Sequence, residues 1–157
     1  MKGPEARIFL VVVDESDEMP VALYYASRRA QRTGGRVALL RVIPRDEGHG
    51  LASVEALMRE EAREEAEQLL HRHAATVSAE TGTMPVVYLR EGTTSEELLD
   101  LLDEDPTISI LVLAAGTGPD GPGPLVSFLA SKAMGKLRVP VTIVPGNLTR
   151  DQMDAIS

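Results

Sequence analysis

Cysteine and tryptophan are missing from this 157-residue chain, and aromatic residues make up only 3% of it. Without cysteine there is no disulfide, no thiolate metal site and no cysteine nucleophile. With so few aromatics, the core has to be assembled from Val, Leu, Ile, Ala and Met. Positive charge is also scarce: 16 Lys and Arg against 24 Asp and Glu leave a net charge of −8. Nucleic acid and anionic membranes select basic surfaces, so neither is expected as a partner. No apolar run approaches the ~20 residues that span a bilayer, and no signal-type segment opens the chain, which predicts a cytoplasmic protein. No Gly-Lys-Ser/Thr occurs, so there is no Walker loop. His49, His71 and His73 do not converge at metal-ligand spacing and read as exposed spectators.

What the chain does have is short, solid apolar runs. Ile8-Phe-Leu-Val-Val-Val13 and Ile108-Ser-Ile-Leu-Val-Leu-Ala-Ala115 are the strongest, and unbroken runs of this kind mark strands buried on both faces of a parallel sheet. Arg36–Ile43 makes a further strand, Pro85–Leu89 a shorter one nearer an edge, and Val139–Pro145 a last edge strand with prolines at both ends. Helical patterns alternate with them. Ser16 or Asp17 is placed to cap a first helix with Pro20 in its first turn, ending at Gly34-Gly35. A long helix is predicted from about Leu51 to Ala79, with Leu51, Val54, Met58, Ala62, Leu69 and Val77 as its apolar stripe. Thr94-Ser-Glu-Glu97 reads as a capping box opening a helix through Leu98, Leu101 and Leu102. Asp103-Glu-Asp105 then crowds negative charge at the negative end of that helix, an unfavourable arrangement. The alternation predicts one α/β domain over residues 1–146, an open parallel sheet with helices on both faces. Residues 147–157 form a tail with a short helix at Arg150 to Ile156.

The chemistry concentrates after the Ile108 strand, where Gly116, Gly118, Gly121 and Gly123 leave a loop poor in side chains and rich in backbone N–H groups. At the carboxyl edge of such a sheet, a loop of this kind invites a phosphate. A dinucleotide fingerprint is disfavoured, because Pro119, Pro122 and Pro124 keep the chain extended where a helix should begin. An ordinary surface turn remains the plain reading of the same glycines. Asp14, at the carboxyl end of the first strand, faces the same edge, while Asp17 is better placed as a cap.

Two segments, Val11-Val-Val-Asp-Glu-Ser16 and Leu111-Val-Leu-Ala-Ala-Gly-Thr-Gly-Pro-Asp-Gly121, resemble the universal stress protein family, as do Phe128-Leu-Ala-Ser131 and Val139-Pro-Val-Thr-Ile-Val144. The resemblance runs from about Arg7 to Pro145. It implies a Rossmann-like, five-stranded parallel sheet of order 3-2-1-4-5, and in the nucleotide-binding members ATP between the first and fourth strands, with or without Mg²⁺. The site residues it implies are Asp14 and Val42 beside the adenine, and Gly116, Gly118, Gly121 and Ser131 for ribose and phosphate. The family's signature departs here in two ways: eight residues follow Gly121 instead of nine, and the next position is Ala130 instead of glycine. The resemblance further implies a stress-response module without catalysis, dimeric through the last strand at Val141 and Ile143. Two alternatives stand beside it: a dimeric adaptor that has lost the nucleotide, and a nucleotide-hydrolysing enzyme using Asp14 or Asp120 to hold Mg²⁺.

Overall fold

A computed structural model describes residues 6–45 and 50–157. His49 and its neighbours at 46–48 lie outside the described residues. Five strands form one parallel sheet: β1 (Ile8–Val12), β2 (Arg36–Ile43), β3 (Val86–Glu91), β4 (Ile108–Ala115) and β5 (Val141–Pro145). Their order is β3-β2-β1-β4-β5, as the resemblance implied. The apolar runs dictate this arrangement: Leu10, Val11, Leu39, Leu40, Leu111 and Val112 are inaccessible to solvent, which only strands covered on both faces can be. A bulge at Ser109 shifts the register between β1 and β4, and the Ser109 hydroxyl accepts the Ile8 N–H at 3.2 Å.

Helices cover both faces of the sheet. α1 (Met19–Thr33), α2 (Ala52–Thr81) and α5 (Arg150–Ile156) lie on one, against Phe9, Val11, Leu39 and Val112. The other face, bearing Leu10, Leu40, Leu111 and Leu113, carries α3 (Thr94–Glu104) and the run beginning with α4 (Pro124–Phe128). That run continues through a π-helical turn at Leu129–Ala133 and a 3₁₀ turn at Met134–Lys136. α1 ends on Gly34 and α2 on Gly82, both left-handed, a conformation in which glycine avoids the Cβ clash.

Several local expectations need correction. Neither Ser16 nor Asp17 caps α1; its first residue follows Glu18, and no side chain accepts the orphan N–H groups. Ser16 instead donates both its N–H (2.9 Å) and its hydroxyl (2.5 Å) to the Asp14 carboxylate. The capping box of α3 does not form either, because the helix starts one residue early, with Thr93 outside it. In α2 the buried stripe is Ala66, Leu70, Ala74 and Val77, whereas Leu51, Val54 and Met58 are exposed. Length explains this: 30 residues make a helix of about 45 Å, and strands of at most 8 residues reach only about 26 Å. The first half of α2 therefore runs past the sheet.

The acidic end of α3 has partners from far along the chain. Arg138 donates to the carbonyls of Leu102 (2.9 and 2.8 Å), Asp105 (3.0 Å) and Ile108 (3.3 Å), so a cation sits where the helix dipole is negative. Arg90 binds Glu104 at 2.6 Å. Asp105 accepts from Thr107 and from the Tyr88 hydroxyl, and these bonds hold its carboxyl below the usual carboxylate range. Burial, then the bond to Asp105, pushes the Tyr88 phenol up to about 12.

Residues 147–157 are no loose tail. Thr149 and Gln152 form a reciprocal capping box, and Met153 is buried in the core beneath α1. The Tyr24 hydroxyl donates to Asp154 at 2.6 Å, Arg28 lies 2.9 Å from the same carboxylate, and Arg150 stacks on the Tyr24 ring at 4.8 Å. The bond to Asp154, and after it burial, keep the Tyr24 phenol protonated to higher pH than usual, against the opposing pull of Arg28 and Arg150.

Candidate functional site

β1 lies between β2 and β4, and the connections leaving β1 and β4 pass to opposite faces of the sheet. A gap opens where they part, at the carboxyl ends of the strands, the place where open α/β sheets bind ligands. Three neighbouring crevices share lining residues along it.

The first, about 320 Å³, is lined by Asp14, Arg41 and Val42 on one side and by Thr93, Leu125 and Phe128 on others. Its walls are mostly apolar with a few polar groups, and its size suits a flat heterocycle. The two bonds from Ser16 fix the Asp14 carboxylate as an acceptor. Val42, buried at the end of β2, offers a flat aliphatic surface. Arg41 points to the other face of the sheet by strand alternation, yet its guanidinium reaches back to the Val13 carbonyl at 3.4 Å. The second crevice is a throat of about 90 Å³ running from Asp14 and Ser16 to Glu18, Gly123 and Pro124. The third, about 480 Å³, is the mouth of the glycine loop, with Gly116, Gly118 and Gly121 on one side and Asp17, Glu18 and Gly146 on the other.

The loop is more closed than its composition suggests. The Gly116 N–H donates to the Pro122 carbonyl (3.1 Å) and the Gly121 N–H to the Gly118 carbonyl (3.2 Å). Gly116 is glycine by necessity, since a Cβ there would sit 2.8 Å from the Gly121 carbonyl oxygen. Gly121 has φ +82, in the left-handed region. Gly118 has neither restriction: a Cβ on it meets nothing within 4 Å and would project into open space.

Asp14 and Val42 thus share one crevice, and the three glycines share the mouth. Ser131 lines none of the three; it is exposed on the π-helical turn, and its hydroxyl donates to the Ser127 carbonyl at 2.6 Å. Ala130 is exposed on the same turn and also lies outside them. Two participants escaped the sequence reading. Gly146 packs so tightly that a Cβ would come within 2.7 Å of both the Ala115 carbonyl oxygen and the Glu18 Cβ. Glu18 itself reads as an ordinary acid before a helix. Among the described residues, no group of three His, Asp or Glu could hold a metal ion, and no helix is long and apolar enough to cross a membrane.

A family model described as the Universal stress protein family matches residues 5–145. No curated protein matches the chain. Among solved structures, a universal stress protein from Lactobacillus plantarum superposes with a TM-score of 0.71 at 19% identity, over 90% of this chain and 99% of its own. A universal stress protein from Archaeoglobus fulgidus in complex with dAMP gives 0.58 at 19% identity, covering 89% and 98%. A universal stress protein in complex with cAMP gives 0.59 at 16% identity, covering 90% and 98%.

Proposed function

This chain belongs to the universal stress protein family, and on that footing we propose that it is a non-catalytic, cytoplasmic stress-response module that binds an adenine nucleotide between β1 and β4. The observation that carries the reading is the continuous line from the Asp14–Val42 crevice to the glycine loop at the switch point of the sheet. Asp14 would accept from the exocyclic amine of adenine, with Val42 against the ring, while the ribose and phosphate extend toward Gly118. Relatives in complex with dAMP and cAMP support this class of ligand, and ATP, with or without Mg²⁺, is the family expectation.

Calorimetric titration of AMP, and of ATP with Mg²⁺, into nucleotide-stripped protein tests it. Binding is expected, and Asp14→Ala should weaken it about tenfold or more, the worth of one hydrogen bond to a charged acceptor. Gly118→Val should weaken binding with the fold intact, because that position has room for a side chain and no left-handed backbone. No binding of either nucleotide would move the reading to a dimeric adaptor, which the internal closure of the loop by Gly116 and Gly121 would then explain. Phosphate release that disappears in Asp14→Ala would instead assign a nucleotide-hydrolysing enzyme.

The same reading includes a homodimer through β5, which is an edge strand with Val141 half-buried and Ile143 exposed. Unpaired strand edges with apolar side chains recruit a second strand. Ile143→Glu should shift the mass measured by light scattering from dimer to monomer; a mutant that stays dimeric places the interface elsewhere.

A further inference from the structure

The mouth of the glycine loop is lined by Asp17, Glu18 and Asp120, and by no Lys, Arg or His. Glu18 is the innermost of these. A methyl group on Gly116 would lie 3.6 Å from its Oε1, and one on Gly123 would lie 3.8 Å from the same oxygen, so one carboxylate reaches both limbs of the loop. Its base cannot retreat, because the Glu18 Cβ abuts Gly146 and the Glu18 carbonyl accepts the Val21 N–H at 3.0 Å. Among the described residues Glu18 has no ion-pair partner.

The loop also has few donors to offset that charge. Between Gly116 and Pro124, three residues are prolines and lack an N–H, and the N–H groups of Gly116 and Gly121 are spent inside the loop. Thr117, Gly118, Asp120 and Gly123 keep theirs. A single phosphate can be met by such a set, with its remaining charge in solvent. A triphosphate carries about four negative charges at neutral pH, and threading it past Glu18 sets like charges close together in a partly desolvated groove.

We infer that Glu18 makes this crevice selective for adenine ligands of low charge, adenosine or its monophosphates, and that it rejects the triphosphate. The inference rests on the adenine-binding reading above and names the ligand class within it. Calorimetry of adenosine, AMP and ATP, each with and without Mg²⁺, on the parent and on Glu18→Gln tests both. In the parent, AMP or adenosine should bind at least about tenfold more tightly than ATP, since like charges about 4 Å apart at a surface are worth that much or more. In Glu18→Gln the ratio of ATP to adenosine affinity should rise about tenfold. Raising the salt should narrow the discrimination in the parent more than in the mutant, because screening acts on a charge the mutant lacks. Circular dichroism establishes that the mutant is folded. Binding of ATP as tight as AMP in the parent, with or without Mg²⁺, overturns the inference while leaving an adenine site in place, as does an unchanged ratio in Glu18→Gln. Failure of all three ligands to bind overturns the adenine reading and the inference with it.

Discussion

Cutting the chain after Gly146 should lower the melting temperature by about 6–12 °C. The deleted segment carries α5, which lies past the last residue of the family match yet is built into the core. Met153 is 2% exposed; losing its burial costs about 1.5–3 kcal/mol. The Asp154 contacts to Tyr24 and Arg28, half-buried at the surface of α1, add about 1 kcal/mol. The total, about 3 kcal/mol, corresponds to that shift for a domain of this size. Met153→Ala alone should reproduce most of the loss, since cavity formation adds to the transfer term. Scanning calorimetry of both variants measures it, and a truncated protein melting within 2 °C of the parent, about the shift from 0.5–1 kcal/mol, would make α5 an appendage.

Gly146→Val should cost about 2–3 kcal/mol, by overpacking. Gly146 donates its N–H to the Ala115 carbonyl at 2.8 Å, and β4, the end of β5 and the start of α1 converge there. A Cβ would collide with a carbonyl oxygen of one element and the Glu18 Cβ of another, each at 2.7 Å. One of them has to move. Urea denaturation should show a lower midpoint at unchanged slope; an unchanged midpoint would mean that the two elements are free to separate.

The sheet was legible because its inner strands cannot be anything else: residues 8–12 and 108–115 are too apolar and too short for other buried elements, and Gly34-Gly35 closes the helix before β2. Asp14 was legible for the same reason, since the end of a central strand fixes where a polar residue must emerge. Glu18, Gly146 and Arg138 were not. Each matters through a neighbour distant in sequence, and local pattern carries no record of such a meeting. The assumed cap failed because the Ser16 hydroxyl is turned to the Asp14 carboxylate, away from the helix N–H groups, and the helix begins only at Met19. The stripe on α2 held at Leu69 and Val77 and failed in its first half, because periodicity shows which side of a helix is apolar without showing how far the sheet beneath it extends.

Arg138 precedes β5 and grips carbonyls from α3, from the turn after it and from the first residue of β4. Edge strands usually fray independently, with little opening free energy of their own. Here, peeling β5 back would pull the guanidinium out of three carbonyls and uncap a helix on the neighbouring layer. The amides of β5 and of the last turn of α3 should therefore exchange with solvent as one cooperative unit. An edge tied to the interior in this way keeps its register on β4 even where its outer side has no neighbour among the described residues.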